Sequence, residues 1–449
     1  MSAHRQSMRA YLATAERQGG IATVAEAVDP VYEIAAYLRE FDGGPPVMFE
    51  NVAGHGLRVT GNHLTTRERI AFALSTTATD LQDRLVEAIG RPLAPVRIEH
   101  GPCQAVESAE PDLAVLPIPT FFEHETGPYV TAGAIIAKDT STGRGNLSIA
   151  RLKPLGGNRA FIGIAPNHHL AVLARAAQAR GERLEIAVTI GNHPAVMVAA
   201  CLYLGLGEDE LAVAGALFGE PVEVVACRGL ALDVPAHAEI VLEGTLDPGE
   251  TVEEGPVSEF HGMYERYGAG YVVTFSRLTR RADAIYQCVL PGYANEHILL
   301  GAVAIAAGLA RSLGGRIPGV REIAVTPGGA GRLHAVVSLA NPRPGAAKKA
   351  MFAIWGAVNL IKQVTVVDGD VDPWDPVAVE RAVATRLRAD RDLTVVPGVQ
   401  ADRSEPLEAN GLVAKLGLDA TIHDGDRPDV TPARPPAAVI ERVRAKLKR

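Results

Sequence analysis

The stretch from about residue 115 to 290 most constrains what this chain can fold into. Seven short runs there favour strands: Thr131–Lys138, Asn146–Lys153, Leu184–Ile190, Val222–Val225, Glu239–Glu243, Tyr271–Leu278 and Ala284–Leu290. Glycine and proline bound them, and only two or three helical patches intervene, of which Leu170–Arg180 is the clearest. Many strands punctuated in this way predict an open or closed barrel. Strand and helix alternate on either side. Before the barrel, helices are expected over 5–18, 27–40, Thr65–Leu74 and Thr79–Ala88, with a strand at Val47–Phe49. After it come helices at Ile298–Leu313, Ala346–Leu360 and 377–390, and strands at Glu322–Thr326, His334–Leu339 and Val364–Asp368. A Pro-rich linker at 427–436 leads into a basic tail helix. The 449 residues are too many for one core. The expected organisation is a multidomain α/β (α+β) protein with units at 1–112, 113–300 and 301–449.

Bulk properties exclude several functions. The chain is 47% hydrophobic and 21% charged, as a folded protein should be. A net charge of −8 argues against nucleic-acid binding, which needs a basic face. Cys103, Cys201, Cys227 and Cys288 are too scattered for a zinc or redox motif, which points to a reducing compartment. The polar start, Met1-Ser-Ala-His-Arg-Gln, lacks an apolar signal core. No run of about 18 uninterrupted apolar residues exists, so a cytoplasmic protein with no membrane span is expected.

The chemistry concentrates in a few segments. Glu254-Gly-Pro-Val-Ser-Glu259 sets two carboxylates five residues apart across a Gly-Pro pair. Pro256 rules out a helix there, and on a straight strand the two acids would point to opposite faces. A bend at Gly255-Pro256 would bring them to one wall; otherwise they are two solvated acids in a turn. Paired carboxylates in a dry pocket push each other's pKa apart, so one can serve as a general acid. Asn146-Leu-Ser-Ile-Ala-Arg151 alternates polar and apolar residues and aims Arg151 at a lined cavity, where it needs an anion: a ligand, or a structural ion-pair partner. Pro166-Asn-His168-His169 opens a helix and offers either a metal ligand or a cap cluster. Glu208-Asp209-Glu210 reads by itself as a solvated helix start. Asp368-Gly-Asp370-Val-Asp372-Pro373 lacks the glycine and the closing glutamate of a calcium loop, so solvated acids at a strand end are expected. Pro327-Gly-Gly-Ala-Gly331 fits a strand-to-strand turn.

Taken in order, these segments resemble the UbiD-type decarboxylases, which use prenylated FMN. The resemblance runs from Phe49-Glu-Asn-Val-Ala-Gly-His55, Gly61-Asn62 and Arg67-Glu-Arg-Ile-Ala71 through Asn146–Arg151, Ile190-Gly-Asn-His-Pro-Ala195 and Gly219-Glu-Pro-Val-Glu223. It continues over Val234–Gly244 and Glu254–Glu259 to Val367–Asp372. It implies a central split β-barrel that binds the flavin, a C-terminal domain ending in an oligomerisation helix, and a homodimer or a multiple of one. It implies reversible, non-oxidative decarboxylation of an aromatic, heteroaromatic or α,β-unsaturated acid, with Glu259 as proton donor and Arg151 and Glu254 orienting the substrate carboxylate. The flavin would lie along Asn146, Leu147, Ser148, Ile149, Ala150, Arg151 and Asn167. Its phosphate would be held through Mn2+ (or Mg2+) on Asn146, His168 and Glu210, with K+ beside it and Lys362 in contact; His169 is the alternative to His168. A separate flavin prenyltransferase would supply the cofactor. The family often has Phe-Gly where this chain has Val257-Ser258, which puts the pocket shape in question. The competing readings are an FMN-dependent reductase on a similar barrel and a non-catalytic subunit of a decarboxylase complex.

Overall fold

The computed structural model describes residues 4–423, 433 and 435–447. Its N-terminal unit is a four-stranded sheet in the order Ala22–Val28, Val47–Val52, Arg58–Gly61 and Ile285–Gln287. The last strand arrives from the far side of the central region and pairs in parallel with Arg58–Gly61, so it locks the two units together. One expectation fails here. Residues 27–40 are not a single helix: Ala22–Val28 is a strand, and the helix is only Glu33–Glu40. Pro30 explains the break, because it disfavours helical geometry at Asp29.

The central unit is an eight-stranded sheet. Its main path runs Gly145–Ile149, Ala134–Lys138, Leu184–Ile190, Ile240–Glu253, Ala269–Arg280, Arg159–Ile162 and Leu152–Gly156, with Val106–Ala109 also pairing to Ala269–Arg280. The two strands that end this path are consecutive in the chain and separated only by Ala150 and Arg151. The sheet must therefore curl until its edges approach, and a bridge from Leu152 to Val130, just ahead of Ala134–Lys138, helps close it. Arg151 sits at the seam of this split barrel. Ile240–Glu253 and Ala269–Arg280 form one long antiparallel hairpin, with Glu253 opposite Ala269. Its tip, beyond Glu253, carries both acids of the Glu254–Glu259 segment.

Two helices of this region, Pro194–Ala200 and Glu210–Phe218, have no amphipathic stripe in the sequence. Nearly every residue in them is buried, so no polar face marks the helical period.

The C-terminal unit is a five-stranded mixed sheet in the order Val320–Val325, His334–Leu339, Gln363–Asp368, Leu412–Ala420 and Leu393–Gln400. Pro327–Gly331 is the expected turn between antiparallel neighbours. The acids after Gln363–Asp368 are not simply solvated: Arg386 pairs with Asp368 at 2.7 Å and with Asp370 at 2.8 Å. The expected linker at 427–436 lies mostly outside the described residues.

The helix Asn295–Leu313 holds the units together. It is the one described helix long and apolar enough to cross a membrane by length and composition, but its surface is occupied within the protein. Leu299, Leu300, Val303, Ala304 and Ala307 pack with the helices of the first two units. Ala302, Ile305, Ala306, Leu309 and Leu313 pack against the C-terminal sheet. Ile298, at its start, touches the cluster around Phe260.

Candidate active site

The barrel seam and the hairpin tip meet at Arg151. Its Nε donates to Glu254 Oε1 at 2.5 Å and its Nη2 to Glu254 Oε2 at 2.7 Å, a fork-on-fork pair. Its Nη1 lies 3.6 Å from Glu259 Oε1. Residues 103 apart in sequence thus converge because the Arg151 carbonyl accepts from Gly163, next to the strand that pairs with the long hairpin. The bend between the acids is built by Gly255, whose φ is +88°. A Cβ there would also strike Thr126, so glycine is required twice over. The Glu254 side chain is 1% exposed and that of Glu259 13%, so neither is the freely solvated turn acid that the segment alone allowed.

Several groups support this centre without a signal in the sequence. Lys153 Nζ and Thr126 Oγ1 both donate to the Glu254 backbone carbonyl. Lys153 was legible in principle, because it alternates with Arg151 along one strand face. Tyr267 lies with its ring 5.4 Å from the Arg151 guanidinium carbon. Burial and Glu259 push the Tyr267 hydroxyl above its ordinary range. From the C-terminal unit, Arg403 places its guanidinium carbon 4.3 Å from the centre of this ring, and the Tyr267 hydroxyl donates to Ser404 Oγ at 3.2 Å. Ser258 uses its hydroxyl to donate to Glu125 Oε1 at 2.8 Å, and its backbone N–H reaches the same oxygen. Glu125 is buried, which raises its pKa. The serine between the two acids therefore tethers the loop that carries Glu259.

A second group of polar residues lies along the edge strand Gly145–Ile149. Glu210, the first residue of its helix, is 3% exposed, so it is not part of a solvated helix start; Asp209 provides the cap instead. Glu210 accepts from Leu147 N at 2.9 Å and from Asn146 Nδ2 at 3.3 Å. Burial outweighs these bonds and raises its pKa to about 7. Ser148 Oγ donates to Asn146 Oδ1 at 3.1 Å. His168 occupies the N-cap of the helix His169–Ala179 but makes no side-chain cap bond, and its buried Nδ1 has no partner. Burial holds this imidazole below its ordinary range. Asn146 and Glu210 are thus in contact, while His168 stands on a helix packed against the same strand. Lys362 belongs to neither group here: its ammonium pairs with Glu405 at 2.7 Å. Asn167 is exposed just ahead of His168.

Comparison with known proteins gives the family. Residues 95–294 match the Rift-related domain of 3-octaprenyl-4-hydroxybenzoate carboxy-lyase (UbiD), residues 298–420 its C-terminal domain and residues 12–89 its N-terminal domain. An anhydromevalonate phosphate decarboxylase of Methanothermobacter thermautotrophicus is 35% identical over 399 residues, covering 89% of this chain and 93% of the relative. Among solved structures, the UbiD-class enzyme HmfF from Pelotomaculum thermopropionicum in complex with FMN superposes with a TM-score of 0.92 at 37% identity, covering 98% of this chain and 99% of that one. An evolved dimeric form of HmfF in complex with prFMN gives 0.88 at 36% identity, covering 95% and 97%. With all three domain models matched in order over most of its length, the chain belongs to the UbiD family of carboxy-lyases.

Proposed function

We propose that this protein is a reversible, non-oxidative decarboxylase of an unsaturated, aromatic or heteroaromatic carboxylic acid that works with prenylated FMN. The observation that carries this reading is the convergence of Arg151, Glu254 and Glu259 at the barrel seam. A relative named for anhydromevalonate phosphate keeps the substrate class wider than aromatic acids.

The polar groups along the edge strand fit the cofactor's phosphate end. Glu210, with its charge destabilised by burial, and His168, with an orphaned Nδ1, are groups of the kind that would hold a cation. Together with the Asn146 amide they make a hard oxygen-and-nitrogen set that would hold Mn2+ or Mg2+ for the cofactor's phosphate, with K+ as the second cation. The backbone from Asn146 to Arg151, with Asn167, would line the flavin. Lys362 would serve the phosphate by exchanging Glu405 for it. When bound, prenylated FMN supplies the electron sink that a carboxylate on an sp² carbon lacks.

The chain's own residues do the rest. Glu254 occupies Nε and Nη2 of Arg151, which fixes the guanidinium and leaves Nη1 to hold the substrate carboxylate. Lys153 and Thr126 keep Glu254 in place through its carbonyl. Glu259, beside Nη1, delivers a proton to the carbon that loses CO2. Tyr267, with Arg403 and Ser404 over it, closes the site from the C-terminal side and limits water. A flavin reductase would have no use for this buried arginine and acid pair, and a non-catalytic subunit no reason to retain it.

The helix Ala437–Leu447 buries none of its residues, and Val443 and Leu447 stand exposed on it, which supports packing on a second copy of the chain. The four cysteines are free, which suits the cytoplasm, where a prenyltransferase could supply the flavin. The test is a panel of carboxylic acids offered to enzyme produced with a flavin prenyltransferase. CO2 release and deuterium incorporation at the vacated carbon are expected for at least one class, with the reverse reaction at high bicarbonate. NAD(P)H oxidation without CO2 release would favour the reductase.

A further inference from the structure

Among the described residues, Arg332 is a cation without an acid. It leaves the Pro327–Gly331 turn and places its guanidinium carbon 5.8 Å from the ring of Phe260, the residue after Glu259. Its Nη1 donates to the carbonyls of Gly331 at 3.0 Å and Ile298 at 3.3 Å. Its Nε and Nη2 donate to no described residue, and no carboxylate among the described residues pairs with it. The surroundings are apolar, with Phe260, Ile298, Ala330, Leu333 and Leu360 in one cluster. Arg332 is only partly buried, so its free nitrogens are open to an arriving anion.

The seat for this guanidinium is built into the helix Asn295–Leu313. A Cβ at Gly301 would fall on the Arg332 guanidinium itself. Glycine inside a long helix weakens it, and here it opens the space that the arginine fills. One turn earlier on the same helix stands His297. Its Nδ1 is 2.9 Å from the Gly292 carbonyl, and its Nε2 has no described partner. Gly292 in turn lies against the Glu259 backbone: a Cβ there would be 3.7 Å from the Glu259 carbonyl oxygen. Burial and the positive charge of Arg332 hold His297 below its ordinary range, so it is a neutral hydrogen-bonding group rather than a competing cation. Arg332 and His297 therefore flank the segment that carries the proton donor; Arg332 leaves donors unspent, while the neutral His297, whose Nδ1–H donates to Gly292, presents Nε2 as an acceptor.

We propose that Arg332 binds a second anionic group of the substrate, a carboxylate or a phosphate, beyond the carbon that Glu259 protonates. The inference rests on the decarboxylase reading above and narrows the substrate to an unsaturated acid with two anionic ends. The planar fork of an arginine suits either oxyanion, which can meet both idle nitrogens at once.

Titration calorimetry on the flavin-loaded enzyme tests this with three saturated acids that bind but cannot decarboxylate. They are 3-phenylpropanoate, 3-(4-carboxymethylphenyl)propanoate and 3-(4-phosphonomethylphenyl)propanoate, in which every carboxylate sits on saturated carbon. At least one dianion should bind tenfold or more tightly than the monoanion, and which one gains tells carboxylate from phosphate. The ratio should collapse towards one in Arg332→Met and survive in part in Arg332→Lys. It should also collapse in Gly301→Ala, which evicts the guanidinium but keeps its charge, so the test holds even if the methionine variant fails to fold. Equal binding of all three acids by the native enzyme would overturn the proposal, as would a ratio that persists in Arg332→Met. The unsaturated counterparts separate the two claims. Dianion preference without CO2 release sinks the decarboxylase reading and leaves the anion site standing; CO2 release without dianion preference does the reverse.

Discussion

Arg151, partly buried, and Glu210, fully buried, are both ionisable groups near the barrel seam, yet the protein treats them differently. Arg151 is answered from within: Glu254 takes two of its nitrogens and Glu259 lies beside the third. Glu210 is not: it has only an amide and one backbone N–H, and burial pushes it up to about 7. A charge completed by the fold is ready before any ligand arrives. A charge left incomplete marks where the protein counts on something else to bind. The same contrast separates Arg151 from Arg332.

The comparison breaks most sharply at the completed pair. Arg151→Ala leaves Glu254 buried without a partner, and removing one member of such a pair costs about 3–5 kcal/mol. Both turnover and melting temperature should fall. Adding Glu254→Gln to that variant should restore most of the stability but none of the CO2 release. If the double variant regains turnover as well, the pair is structural only.

The incomplete site should respond to ligand instead. Mn2+ with FMN should raise the melting temperature of the native protein, since anything that binds only the folded state stabilises it. In Glu210→Ala the shift should vanish, with metal affinity down about 100-fold or more. An equal shift in that variant would place the cation elsewhere.

How much of this was legible in the sequence follows from where order is local. Gly255-Pro256 announced a bend, and the alternation around Arg151 announced a lined cavity, so the acids and the arginine could be named. That the edge strands close on one another across Ala150–Arg151 is a property of sheet order, which no local spacing reveals. Helices such as Glu210–Phe218 were invisible because burial on all sides erases the polar half of the helical period. Tyr267, Arg403 and Arg332 reach the site from separate elements and carry no motif. Ser258 stood out as a departure from the family pattern, but its bond to Glu125 depends on a residue 133 positions away.

A smaller effect sharpens the contrast from a third place. Glu296 is buried, accepts from His63 and Leu64, and leaves Oε2 without a partner; burial raises its pKa to about 8. The folded state then holds a proton that the unfolded chain gives up near the ordinary glutamate value of about 4.3. Between those values the native state binds more protons, so this group makes stability fall as pH rises, by at most about 1.4 kcal/mol per pH unit. Glu296→Gln should flatten that slope in denaturant titrations from pH 5 to 8 without changing metal affinity. An unchanged slope would show that the Glu296 charge is met in the folded state.

Glu259→Gln offers the most direct test, because it keeps the shape of the site and removes only the transferable proton. In enzyme loaded with prenylated FMN, the variant should bind flavin at native stoichiometry and release neither CO2 nor deuterated product from an acid that the native enzyme turns over. Native turnover by Glu259→Gln would contradict the account at its centre.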